Sequence, residues 1–208
     1  MKAKQPTIEV HDGDLPAGLA FPDSIGVDTE TQGLSLQRDR LCLVQLTGGD
    51  GVCHLVRISA DPAPAPNLKA LFEDPSILKI FHYARFDVAM LKRWLDIDCA
   101  PVYCTKIASK LVRTYTDRHG LKDICRELLG VELAKEMQSS DWAAAEMSPQ
   151  QAKYAAADVI YLHDLRAALD VMLVREGRTE LAESCCRFLS HRTALDLQGW
   201  GDVDIFAH

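Results

Sequence analysis

Apolar positions come in short, close-set runs over residues 24–58 and return at helical spacing beyond residue 84. Ile25 and Val27 are β-branched and bracket Gly26, so Ile25 to Glu30 reads as a strand, the central one. Arg40 to Leu46 (RLCLVQL) reads as its neighbour, antiparallel because the connection between them is short. Gly48 to Gly51 is turn chemistry and Val52 to Ile58 a third strand. Thr7 to Val10 predicts a short strand ahead of these, with HDGDLP as the turn that follows. Pro62, Pro64 and Pro66 make a stiff connection, after which Asn67 is placed to cap a helix running to about Glu73. Ile77 to Phe81 is a further apolar strand. Ala84 to Leu95, Thr105 to Arg113 and Gly120 to Leu129 read as helices, the last stopped by Gly130. Ser148-Pro149 is an N-cap with a first-turn proline, and the helix it opens is expected to continue to about Val174. Glu180 to Phe188 is expected to be helical. Strands lead and helices follow, with no repeat and no linker, which predicts one α/β domain over residues 1–208 built on a mixed sheet.

The central strand ends in chemistry. Asp28 and Glu30 are two residues apart in an extended chain, so their side chains leave on one face. Adjacent carboxylates repel unless a proton or a cation lies between them, and hard oxygen donors suit Mg²⁺ or Mn²⁺. The plain alternative is a solvated pair of acids at a strand end. Two later stretches bear on the choice. In HYARFDVAML, Asp87 falls in the first turns of a helix beside a strand end, where it either joins the acids or only complements the helix dipole. In YAAADVIYL, Tyr154 and Asp158 are four apart and share one helix face, and the alanines between them let another element come close. Asp158 borders an apolar face and has no Lys or Arg three or four residues away. A metal shared with Asp28 and Glu30 would satisfy it.

Charge and composition narrow the field. Lys plus Arg number 23 against 30 Asp plus Glu, a net charge of −7, which excludes coating long nucleic acid by bulk charge but not a nuclease that meets phosphates with metal ions. The seven cysteines are odd in number and contain no C-x-x-C pair, so neither a disulfide framework nor a zinc site is read from their spacing. The N-terminal stretch MKAKQPTIEVHDGD lacks an apolar signal core and no run is long enough to cross a bilayer, so a reducing, cytoplasmic location and no membrane partner are expected.

DTETQGL, HYARFDVAML and YAAADVIYL, in this order, resemble the three motifs of the 3′–5′ exonucleases that use four acids and a tyrosine (the DEDDy type), nearest the ribonuclease D group. A sister group carries histidine one residue after the tyrosine, where this chain has Ala155. CTKIASKLVRTYTDRHGLKDIC, QSSDWAAAEMS and the closing LDLQGWGDVDIFAH resemble the short nanoRNase C-type members, so the likeness covers essentially the whole chain. The resemblance implies a ribonuclease H-like fold, a mixed β-sheet flanked by helices, without the accessory helical domain of full-length ribonuclease D. It implies a catalytic set of Asp28, Glu30, Asp87, Tyr154 and Asp158. Of two divalent ions, Mg²⁺ or Mn²⁺, one would be held by Asp28, Glu30 and Asp158, with Asp28 bridging to the second, which Asp87 would hold directly or through water. Tyr154 would orient the attacking water. The implied substrates are short oligoribonucleotides, dinucleotides included, cut from the 3′ end to 5′-mononucleotides, and the implied assembly is a ring-shaped homo-octamer. Ala145-Glu146 stand where the longer enzymes carry Arg-Pro, so their tRNA-processing contacts are not carried over. A nuclease fold without catalysis, serving as an RNA-binding or assembly module, and an exonuclease acting on DNA are the competing readings.

Substrate contacts are read residue by residue. Thr29 lies between the first two acids. Leu34, after Gly33, is either a wedge between bases or a core leucine. His82 and Phe86 are placed to stack on a base or contact a phosphate, with a core histidine as the plain alternative for His82. Lys110 and Arg113, in the one local basic cluster with Lys106, Arg118 and His119, either neutralise terminal phosphates or form a solvated helix face. Trp200 and Ile205-Phe206 would suit a subunit contact.

Overall fold

A computed structural model describes residues 5–133 and 140–207. Six strands, β1 (Thr7–Asp12), β2 (Ser24–Thr31), β3 (Leu41–Thr47), β4 (Val52–Arg57), β5 (Leu78–Phe81) and β6 (Val102–Cys104), form one sheet in the order β1-β4-β3-β2-β5-β6. β3 is antiparallel to both β2 and β4, while β1–β4, β2–β5 and β5–β6 are parallel, so the sheet is mixed as the sequence predicts. Every residue of β3 is buried, because both faces of the sheet are covered. On one face Ile25, Val27, Leu41 and Leu46 pack with α1 (Pro66–Glu73), α2 (Ala84–Leu95) and α7 (Thr179–Leu197). On the other, Leu43, Leu55 and Ile80 pack with α5 (Pro149–Val159), α6 (Leu162–Arg175) and a π-helical turn at Cys125–Leu129 that continues α4 (Leu121–Ile124). Helix α3 (Thr105–Val112) joins α6 and α7 in a smaller cluster around Ala108, Val112 and Leu169.

Gly26 fixes how close the second layer comes. Gly26, Asp28 and Glu30 share the strand face turned to α5, by the period of two. A Cβ at Gly26 would lie 2.9 Å from the Val159 carbonyl oxygen, so the bare backbone lets the end of α5 settle onto β2 and brings Asp158 beside the strand.

Several expectations shift in detail. The helix expected to run from Ser148-Pro149 to Val174 is broken at Ile160–Tyr161 into α5, which lies on the sheet, and α6, which turns toward α3. No proline or glycine marks the break. Asn67 does not cap α1. The cap comes from Asp14, whose carboxylate accepts from the Asn67 and Leu68 amides (2.9 and 2.8 Å). The turn expected at HDGDLP begins later, since His11 and Asp12 belong to β1. Strand β6 is not foreseen at all. Helix α7 outruns Phe188 by nine residues because its buried Asp196 is paired, accepting from Arg85 Nε (2.6 Å), Arg85 Nη2 (2.7 Å) and Arg192 Nη2 (2.7 Å).

Candidate active site

Three elements bring the predicted acids together. Strand β2 delivers Asp28 and Glu30 on its α5 side. Helix α5 delivers Asp158, and one oxygen from each of the three lies within 4.8 Å of the others. Helix α2 delivers Asp87, fully buried, which accepts a 2.6 Å hydrogen bond from the Thr29 hydroxyl. Thr29, expected at the substrate, thus lines the cleft while its side chain holds Asp87. Tyr154 stands one turn before Asp158 and donates its phenol to that carboxylate. All five line one open cleft of about 760 Å³.

The cluster is electrostatically unsatisfied. Burial first, then the charges of Asp87, Asp158 and Glu30, push Asp28 well above the usual carboxylate range. Burial followed by Asp158 and Asp87 raises Glu30 to about 9. Burial raises Asp87 and Asp158 each to about 7, opposed by the hydrogen bonds from Thr29 and Tyr154. Burial and the surrounding carboxylates push the Tyr154 phenol up, so it stays protonated at neutral pH. Among the described residues no Lys or Arg forms an ion pair with any of the four acids. Three half-buried carboxylates and the buried Asp87, without a cationic partner among the described residues, fit one or two hard divalent ions.

Gln45 belongs to the site and is missed by reading motifs. It is wholly buried on β3 directly opposite Asp28, and its amide donates to Asp28 Oδ2 at 2.9 Å. The signal lies only in the strand register. Trp142 is a second such residue. Its ring stands 6.1 Å from that of Tyr154. The segment that carries it is tied down by Arg57 to the Ala145 carbonyl (2.9 Å) and by Gln151 to the Asp141 carbonyl (3.1 Å). Gln151 also closes the Ser148 capping box, so the start of α5 orders this segment. Gln138 and Ser139 of the QSSDWAAAEMS stretch lie outside the described residues.

The remaining substrate candidates separate. Leu34 is 85% exposed at the cleft rim, which settles the choice against a core leucine. Its loop folds about Asp39, which accepts from the Ser35 amide at 2.9 Å. A Cβ on Gly33 would collide with that carboxylate at 2.3 Å. Phe86 both lines the cleft and packs against the core. His82 lines the cleft with its Nδ1 2.9 Å from the Thr105 hydroxyl. Burial and Lys106 push it down to about 3, so the ring is neutral. Lys110 takes the second of its two readings, an exposed helix face, and Arg113 departs from both. Lys110 faces a separate apolar hollow with Ile107 and Phe188. Arg113 is 0% exposed: its guanidinium donates to Ser109 Oγ (3.0 Å), the Arg118 carbonyl (2.7 Å) and both oxygens of Glu127. Among the described residues, the cation that reaches the cleft is Lys106, seated over the Tyr83 ring at 4.1 Å. Tyr83 caps α2 in a left-handed conformation (φ 73°) and lines the same cleft.

Residues 15–174 match the model of the 3′–5′ exonuclease family. The chain is 33% identical over 162 residues to ribonuclease D of Acidiphilium cryptum, covering 78% of this chain and 41% of that protein. It thus spans about two fifths of the length of the curated relatives it matches. Among solved structures it resembles Brucella melitensis NrnC bound to pGG, at 54% identity and a TM-score of 0.93 over 98% of this chain and 99% of that one. It resembles the same protein with bound Mg²⁺ at 53% identity and a TM-score of 0.92, over 97% and 99%.

Proposed function

The chain belongs to the 3′–5′ exonuclease family, and from that premise we propose that it is a metal-dependent exoribonuclease that degrades short oligoribonucleotides, dinucleotides included, from the 3′ end to 5′-mononucleotides. The observation that carries this reading is the convergence of Asp28, Glu30, Asp87, Asp158 and Tyr154 on one cleft, with an exposed leucine at its rim. A fold kept only for binding has no use for four uncompensated acids, which cost stability when no cation is present.

Asp28, Glu30 and Asp158 are the residues to hold one divalent ion, and Asp87 together with Asp28 a second. When bound, such ions would neutralise the acids, polarise the phosphate and lower the pKa of a water. Hydrolysis forms a bond from a water oxygen to phosphorus, breaks the P–O3′ bond and delivers a proton to the departing 3′-oxygen. Tyr154, held protonated and tied to Asp158, is suited to orient that water and unsuited to act as its base. Gln45 and Thr29 fix the rotamers of Asp28 and Asp87. Leu34 wedges between the last two bases, Phe86 supports the terminal one, neutral His82 offers its ring face to the substrate, and Lys106 meets a phosphate. The pGG-bound and Mg²⁺-bound relatives support this substrate class and metal.

The seven free thiols suit a reducing, cytoplasmic setting. Exposed Trp200, Ile205 and Phe206 supply apolar surface for the ring of eight identical subunits, which light scattering of the purified protein tests.

The functional experiment is product analysis on 3′-end-labelled RNAs from dinucleotides to long oligomers, with matched DNAs, in Mg²⁺, in Mn²⁺ and in chelator. Mononucleotides released from short RNA only when metal is present are expected. Activity in chelator overturns the metal requirement. Preference for DNA, or for long RNA growing as salt falls, overturns the substrate class. No hydrolysis of any substrate returns the non-catalytic module.

A further inference from the structure

Away from the cleft, at the edge of the sheet, β1 lies parallel to β4 with Glu9 opposite His54. Glu9 and His11 are two apart and share one face of β1, and a residue shares its face with the partner opposite it, so all three side chains meet. His11 Nε2 stands 3.1 Å from His54 Nδ1, and Glu9 Oε2 stands 3.4 Å from the same nitrogen. One donor atom from each lies within 4.8 Å of the others. The two imidazoles stack at 5.4 Å, and Phe21 walls His54 edge-on at 5.7 Å.

We propose that Glu9, His11 and His54 form a binding site for a borderline transition-metal ion of the zinc class, separate from the carboxylate cleft. Two imidazole nitrogens and one carboxylate are the donor set such ions favour and Mg²⁺ does not. The spacing agrees as well. Bonds of about 2.0–2.1 Å arranged tetrahedrally place neighbouring donors roughly 3.3 Å apart, between the two separations observed. The nearby Glu9 and Asp50 supply negative charge at His54. Glu9 is half exposed, so a fourth position is open to water. Ligands on β1 and β4 would pin the edge strand to the sheet. Sequence spacing hides the site, because the histidines are 43 residues apart and only the strand register unites them.

The test uses the full chain in excess Mg²⁺, titrated with Zn²⁺ by calorimetry and with Co²⁺ by visible absorption, for the wild type, His11→Ala and Glu9→Gln. The wild type should bind one Zn²⁺ per chain that His11→Ala binds at least about tenfold more weakly. Its Co²⁺ form should show the intense visible bands of tetrahedral coordination, lost in His11→Ala. His11 lies on an exposed edge, so the variant should fold, which is checked by its unchanged Mg²⁺-dependent activity. Equal Zn²⁺ binding by the wild type and His11→Ala, or a Co²⁺ spectrum with only weak octahedral bands, overturns the proposal and leaves a hydrogen-bonded trio.

Discussion

Replacing Asp158 by Asn should make the metal-free protein more stable while removing its activity. Burial raises the Asp158 carboxyl from 3.8 to about 7, and its charge is the largest electrostatic push on Glu30. A carboxyl whose folded pKa lies above its unfolded one takes up a proton on folding throughout that window, so stability falls as pH rises through it. Three units at about 1.4 kcal/mol each make the cost of ionising Asp158 on the order of 4 kcal/mol above pH 7. Near pH 4.5 it is about 1 kcal/mol, because the folded carboxyl is protonated and the unfolded one only partly ionised. Asn keeps the shape and an acceptor for the Tyr154 hydroxyl but carries no charge. In EDTA at pH 8 the variant should gain about 2–4 kcal/mol, a Tm rise of about 5–15 °C for a chain of this length. The gap should nearly close at pH 4.5. Adding Mn²⁺ should raise the wild-type Tm and barely move the variant. Nucleotide release should fall at least about a thousandfold. Thermal melts followed by circular dichroism at the two pH values, with and without metal, decide the matter. A variant no more stable than wild type in EDTA at pH 8, or a gap that persists in acid, refutes the claim that carboxylate crowding is the dominant cost at this site.

Tyr154→Phe should lower kcat by roughly ten- to a thousandfold with KM little changed; a change confined to KM would make the phenol a binding group with no part in the chemical step. Gln45→Leu removes the donor that fixes Asp28, and steady-state kinetics should show kcat reduced about tenfold or more at a nearly unchanged KM. A lower Tm with kcat intact would reduce Gln45 to a packing residue. Arg113→Ala leaves Glu127, Ser109 and the Arg118 carbonyl without their shared donor and should cost about 3 kcal/mol or more in denaturant melts. KM per folded molecule should not change, and a raised KM at unchanged stability would restore Arg113 to the substrate site.

Local periodicity carried most of the fold. Alternation in SIGVDTET and the 3.6-residue pattern of ARFDVAMLKRWL specified β2 and α2 because each element shows its buried face within its own sequence. What local pattern could not show is supplied from far away in the chain. Helix α1 takes its cap from Asp14, more than fifty residues earlier. Asp196 looks like a surface residue until Arg85, 111 positions away, pairs with it and lets α7 continue. Across the break, α5 packs on β2, β3 and β4 while α6 packs chiefly on α3, a change of partner that no single residue records.

The same division runs through the active cleft. Its acids were legible because each comes with its own geometry: two positions apart on a strand, four apart from Tyr154 on a helix, or at a helix start beside a strand end. The cations were not. Lys106, Lys110 and Arg113 fall near one helical face at intervals of four and three, and periodicity treats them alike. Tertiary context separates them. Lys106 sits in the first turn of α3, at the cleft. Lys110 lies a turn further along, about 6 Å away at 1.5 Å per residue, and Arg113 leaves the helix as its C-cap and turns inward to Glu127. Among the described residues, one lysine stands beside four acids in the cleft, too little positive charge to draw a polyanion by itself. On the proposed reading, ions held by the acids would supply the phosphate affinity in this cleft and act over one or two linkages. That favours a substrate with few phosphates and predicts weak dependence of KM on monovalent salt, since few side-chain contacts displace counterions.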